Sequence, residues 1–138
     1  MPLSHSSVHL LSCAILLCAC ASLPYRIADR RITPLQWEAV RECVIMSASA
    51  AGKESVVADF AVSVPTYTKR GGIEDIRFRW ESHGGPGFTV RSELVVRDIR
   101  QGLLAPMQGA SVETRRLRQQ LDQQCLQSYP IVERASAS

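Results

Sequence analysis

The sequence predicts a small α+β domain, a three-stranded antiparallel sheet with an N-terminal and a C-terminal helix packed on one face, in the order α-β-β-β-α. Three observations predict it. A helix-start signature, Thr33-Pro34-Leu35-Gln36, opens a stretch with apolar residues at helical spacing. Three segments between residues 55 and 99 alternate apolar and polar residues with a period of two. A second helical pattern then runs from about Val112 to Tyr129.

In the first helix, Thr33 and Gln36 make a capping box with Pro34 at the first helical position, and Ile32 and Trp37 are placed for a hydrophobic staple. The helix is expected to reach about Ala51, with Gly52 as the left-handed residue that ends it. Trp37, Val40, Val44, Ala48 and Ala51 form its buried stripe, and Cys43 lies on the stripe's edge. The first strand spans Ser55 to Val64, with Val56, Ala58, Phe60, Val62 and Val64 inward and Val57 and Ala61 outward. The second spans Ile73 to Ser82, with Ile76, Phe78 and Trp80 inward. The third spans Phe88 to Ile99, with Phe88, Val90, Leu94 and Val96 inward. His83-Gly84-Gly85-Pro86-Gly87 is a short link that favours an antiparallel hairpin. Gln101 to Ala110 reads as a loop carrying Leu103, Leu104 and Met107. Ser111 caps the last helix, Pro130 follows it, and Leu117, Leu121 and Cys125 share its inner face.

Ahead of this domain, Val8 to Ala21 is an apolar run of about 14 residues. That is shorter than the roughly 20 needed to span a bilayer, and it fits a signal-peptide core followed by small residues. The run closes on Leu17-Cys18-Ala19-Cys20, which resembles the lipobox of bacterial lipoproteins: an aliphatic residue at −3, a small one at −1, then the modified cysteine. The resemblance implies cleavage before Cys20 and a diacylglycerol on its thiol. Cys18 departs from the usual Ala or Ser at −2, and Met1 to His9 carries no Lys or Arg. Ala19-Cys20-Ala21 also fits ordinary secretory cleavage, and Leu10-Leu11-Ser12-Cys13 is lipobox-like but follows too short a run. The chain then divides into a lipoprotein signal peptide at 1–19, a lipidated cysteine and tether at 20–32, one periplasmic domain at 33–130 and a flexible tail at 131–138. Ala21 and Ser22 follow Cys20, and in that class the absence of Asp at the second position implies the outer membrane. Arg26, Arg30 and Arg31 in the tether are placed to meet anionic head groups. The resemblance covers only these first residues and implies nothing about the domain.

Five cysteines are present. Cys13 and Cys18 fall in the signal, Cys20 takes lipid, and Cys43 and Cys125 remain. An even pair in an oxidising compartment defaults to a disulfide. It would join the first helix to the last across 82 residues. The net charge of +3 is too weak to imply nucleic-acid binding. Of the 16 basic residues 14 are Arg, a side chain suited to phosphate and carboxylate recognition. A GC-rich genome is the plainer source of that bias.

Alternation places Arg77, Arg79, Arg91 and Arg97 on the outer face of the sheet, with Asp75, Glu81 and Glu93 among them. That face is either a platform for an acidic lipid, glycan or protein, or a solvated surface of cross-strand ion pairs. Leu103, Leu104 and Met107 are either part of a partner surface or core that folds over the sheet. The Gly84–Gly87 run matches no phosphate-binding fingerprint. His83 is the only His after the signal, and Cys43 and Cys125 lack metal-ligand spacing, so no metal or cofactor is expected. Ser82 and Ser92 have no context for nucleophilic activation. The expected function is a non-catalytic envelope lipoprotein, an accessory or assembly subunit that binds another envelope component. A module for an anionic glycan or lipid comes second, and a small hydrolase or hydrolase inhibitor third.

Overall fold

The computed structural model describes residues 25–67, 72–82, 87–97, 104–106 and 110–133, with 96–97 and 104–106 described by backbone alone. Cys20, Leu103, Met107 and residues 83–86, expected to form a turn, lie outside the described residues. The elements are β1 (Arg30–Ile32), α1 (Pro34–Ala50), β2 (Val56–Ala58), β3 (Ala61–Tyr67), β4 (Ile73–Ser82), β5 (Phe88–Arg97), β6 (Leu104–Pro106) and α2 (Val112–Leu126). The class is α+β and the sheet is antiparallel, as expected. Among the described residues it has six strands rather than three, in the order β1-β5-β4-β3-β2, with β6 also paired to β5.

Each added strand has a local cause. β1 comes from the expected tether: Arg30 and Ile32 alternate inward, 6% and 3% exposed, and pair with Val90 and Phe88. The first strand is broken into a hairpin, because Asp59 and Phe60 turn the chain and Ala58 pairs with Ala61. A two-residue turn reverses the face parity. Val57 now lies across from Val62 on the inner side, while Val56 lies across from Ser63. The expected inward set of Val56, Ala58 and Phe60 is therefore corrected, and all three are exposed. β6 arises inside the expected loop, where residues 104–106 pair with Val95–Arg97. Pro106 suits an edge position because it has no amide to donate.

Pro65 sits inside β3 for the same reason. β2 covers the outer edge of β3 only from Ala61 to Ser63, so the missing amide of Pro65 falls beyond the ladder. The longest ladder joins β4 to β5, from Ile73–Arg97 to Ser82–Phe88. The expected tail also changes. Ile131 bridges to Arg30, Arg31 N–H donates to Pro130 O and Val132 N–H to Asp29 O, both at 2.9 Å. The packed fold thus extends beyond the expected 33–130 at both ends.

Both helices cover the inner face. Trp37, Val40, Val44 and Ala48 of α1 and Leu121, Cys125 and Leu126 of α2 share one core with Val62, Val64, Ile76, Phe78 and Val90. α1 starts as its capping box requires: Thr33 Oγ1 accepts from Gln36 N–H at 3.2 Å and Gln36 Oε1 accepts from Thr33 N–H at 2.8 Å. It ends at Gly52, φ +72°, where Gly52 N–H donates to Ser49 O and Lys53 N–H to Ala48 O, each at 2.9 Å. Cys43 and Cys125 are disulfide-bonded, with Cα atoms 5.7 Å apart, so the two helices are joined covalently. No helix among the described residues is long and apolar enough to cross a membrane.

Candidate functional site

The outer face of the sheet places Arg77, Arg79 and Arg91 on neighbouring rungs of β4 and β5. Arg79 lies directly across from Arg91, and Arg77 across from Glu93. Like charges opposed in this way repel unless each has its own counter-charge. The structure supplies them. Arg79 pairs with Glu81 and reaches Glu93 at 3.8 Å, while Arg91 Nε donates to Asp29 at 3.0 Å. Arg97 lies at the end of β5, its backbone across from Ile73 on one side and Leu104 on the other. The face is not uniformly wet: Asp75 is 1% exposed and Val95 7%. It is a mixed surface on which Arg79 and Arg91 already have counter-charges. Leu104 stands at the edge in β6, described by backbone alone, and Leu103 and Met107 lie outside the described residues.

The stronger polar arrangement lies on the other face, between α2 and the sheet. Asp122 is fully buried. It accepts from the Tyr25 hydroxyl and, at 2.7 Å, from Ser92 Oγ. Arg118 Nε donates to Ser92 Oγ at 3.1 Å, and the same guanidinium donates to Ser92 O. Arg30 donates to Tyr129 O at 2.9 Å and lies over the Tyr25 ring at 5.9 Å. Burial pushes the Tyr25 hydroxyl up to about 12, helped by its bond to Asp122 and that group's charge, against the opposing pull of Arg30. Burial pulls Arg118 down, opposed by Asp122 and Glu93.

A second cluster holds the other end of α2. Ser111 Oγ donates to Glu74 Oε2 at 2.9 Å, Thr66 and Thr114 hydroxyls meet at 2.9 Å, and Thr66 Oγ1 donates to Glu74 O at 2.7 Å. Glu74 sits on the inner side of β4 at the start of α2, where the helix dipole favours a carboxylate. The sequence reading missed both clusters. Its available signal was a charged residue within an apolar register: Glu74 has the parity of Ile76 and Phe78, and Asp122 lies three residues before Cys125.

Neither cluster is arranged for chemistry. Ser92 is fully buried and its hydroxyl already donates to Asp122, so it offers no nucleophile to a substrate. Among the described residues no group of three or more His, Cys, Asp or Glu converges as a metal site. Open clefts flank the domain among the described residues, including one of about 370 Å³ beside Ile45, Ser49, Lys53 and Val57. One of about 490 Å³ is lined by Arg26, Ile27, Ala28, Asp29, Arg91, Val132 and Glu133. Another of about 300 Å³ runs between the helices beside Met46, Ala50, Gln120 and Gln124. At the opposite edge of the sheet, Phe60 is 63% exposed and stands over Trp80 at 5.9 Å, and Val56 and Val57 are half exposed on the two faces of β2. Comparisons with family models, with curated proteins and with solved structures found no match.

Proposed function

We propose that this chain is a lipid-anchored envelope protein that acts as a non-catalytic accessory or assembly subunit and binds another envelope protein. The Cys20 thiol would carry the lipid, and the domain would lie in the periplasm at the outer membrane. The lipobox-type stretch supports the anchor, and the helix-to-helix disulfide fits an oxidising compartment. The observation that carries the choice of partner is the pairing of Arg79 and Arg91 with Glu81, Glu93 and Asp29. Those guanidiniums already have counter-charges, which weakens the reading of an anionic glycan or lipid platform. The hairpin of β2 and β3 instead exposes Val56, Val57 and Phe60, side chains that a protein partner covers with gain.

Photo-crosslinking in living cells tests this, with the probe in place of Phe60 and, separately, of Arg79. A discrete protein adduct at position 60 is expected. Glycan or lipid adducts at position 79 with none at 60 would overturn the reading.

A further inference from the structure

The way the chain enters the domain fixes which side of it meets the membrane. Tyr25 is fastened by its bond to Asp122. Arg30 reaches the carbonyls of Gln127 and Tyr129, and β1 is held between β5 and the segment around Ile131. If Cys20 carries the lipid, five residues (20–24) separate the bilayer surface from this fixed point. At about 3.3–3.6 Å per residue they reach at most roughly 18 Å. The residues next to Tyr25 are therefore held within reach of the headgroup layer, whatever path those five take.

The 490 Å³ cleft is built from those residues. Its size is within the range of small-ligand sites. Four of its lining side chains are charged: Arg26, Asp29, Arg91 and Glu133. Arg91 and Asp29 satisfy each other at 3.0 Å. Arg26 and Glu133, one of each sign, are both exposed at the cleft. Arg30, which the sequence places in a basic tether, is buried against backbone carbonyls and takes no part.

Resting on the lipid anchor proposed above, we infer that this cleft receives the headgroup of a zwitterionic phospholipid, with the phosphate at Arg26 and the ammonium at Glu133. A cleft of balanced charge selects a headgroup of balanced charge, whereas simple attraction to an anionic surface needs a cationic patch.

The test uses the full lipidated protein in vesicles of equal phosphatidylethanolamine and phosphatidylglycerol. A benzophenone side chain replaces Val132 in the cleft or, at the opposite edge of the sheet, Lys53. The probe at 132 is expected to add mainly to phosphatidylethanolamine, and the probe at 53 to give little lipid adduct. Arg26→Glu and Glu133→Arg, both at exposed positions, are each expected to lower the yield at 132 about fivefold. Preference for phosphatidylglycerol, equal yields at the two probes, or insensitivity to both substitutions would overturn the inference. Intact mass of the same sample separates the two levels. Protein without diacylglycerol on Cys20 removes the anchor and the cleft assignment together; diacylated protein with no adduct at 132 removes the cleft assignment alone.

Discussion

Asp122 has no exposed surface, yet it is a carboxylate beside a half-buried arginine. Such a group is tolerated only when its oxygens are satisfied, and here Tyr25 and Ser92 each donate to one of them. Asn in its place keeps the shape but removes the charge that offsets burial of Arg118. Asp122→Asn is expected to lower unfolding free energy by about 1–3 kcal/mol, read from the urea midpoint at pH 7. An unchanged midpoint would mean that Glu93 alone compensates Arg118. Tyr25 adds a pH dependence of definite sign. Its folded pKa, about 12, lies above the ordinary value of 10, so the fold favours the protonated phenol. That contribution is complete below pH 10 and is lost as pH rises towards 12. Tyr25→Phe is expected to flatten this part of the alkaline stability curve relative to the parent. Parallel curves for the two proteins would remove Tyr25 as the cause.

At the scale of elements, α2 shows how position and attachment differ in their legibility. Its start at Ser111 and its inward Cys125 were readable, because capping and helical spacing are local properties. α1 was readable down to its capping box for the same reason. The contacts that attach α2 were not, since Thr66, Glu74 and Ser92 come from three strands and meet it only after the sheet forms. The β2–β3 hairpin was missed because its turn, Asp59-Phe60, has neither a Gly nor a positive φ, so the alternation ran on through it. What fixes that turn is tertiary: Trp37 Nε1 donates to Asp59 O at 3.2 Å and Trp80 N–H to Phe60 O at 2.9 Å. Alternation puts Arg79 and Arg91 on one face and the register sets them opposite each other, but the counter-charge of Arg91, Asp29, lies in a segment expected to be a tether. The disulfide constrains the two helices in the unfolded chain as well. Closing a loop of 82 residues is worth roughly 4–5 kcal/mol in the chain-entropy account, a large share of the stability of a domain this size. The double variant Cys43→Ser, Cys125→Ser is expected to melt well below the parent in calorimetry. Equal melting temperatures would show that the packing of Leu121, Leu126, Val40 and Val44 suffices without the bond.

On the scale of the whole molecule, the two ends of the fold lie side by side. The segment at 29–31 runs along 130–132, joined by Arg31 N–H to Pro130 O and Val132 N–H to Asp29 O. This gives β1 a partner on each side, β5 on one and the C-terminal segment on the other. The arrangement bears on the proposed function, in which β1 would carry the load between an anchor at Cys20 and the domain. An entry strand paired on one side only would open more readily and let the domain turn relative to its anchor. Truncation after Tyr129 removes both backbone bonds while leaving α2, the disulfide and the carbonyl acceptors of Arg30 in place. At about 0.5–1.5 kcal/mol for each bond, local opening of β1 becomes easier by about 1–3 kcal/mol. Hydrogen exchange is expected to show the Ile32 amide, on the β5 side of β1, losing about one to two orders of magnitude of protection. Amides in the β3–β4 ladder, far from the cut, are expected to keep theirs. Retained protection at Ile32 would mean that β5 and the Arg30 contacts hold the entry strand without the C-terminal segment. A loss spread through β3 and β4 would instead mean that the closure of the two ends supports the entire sheet.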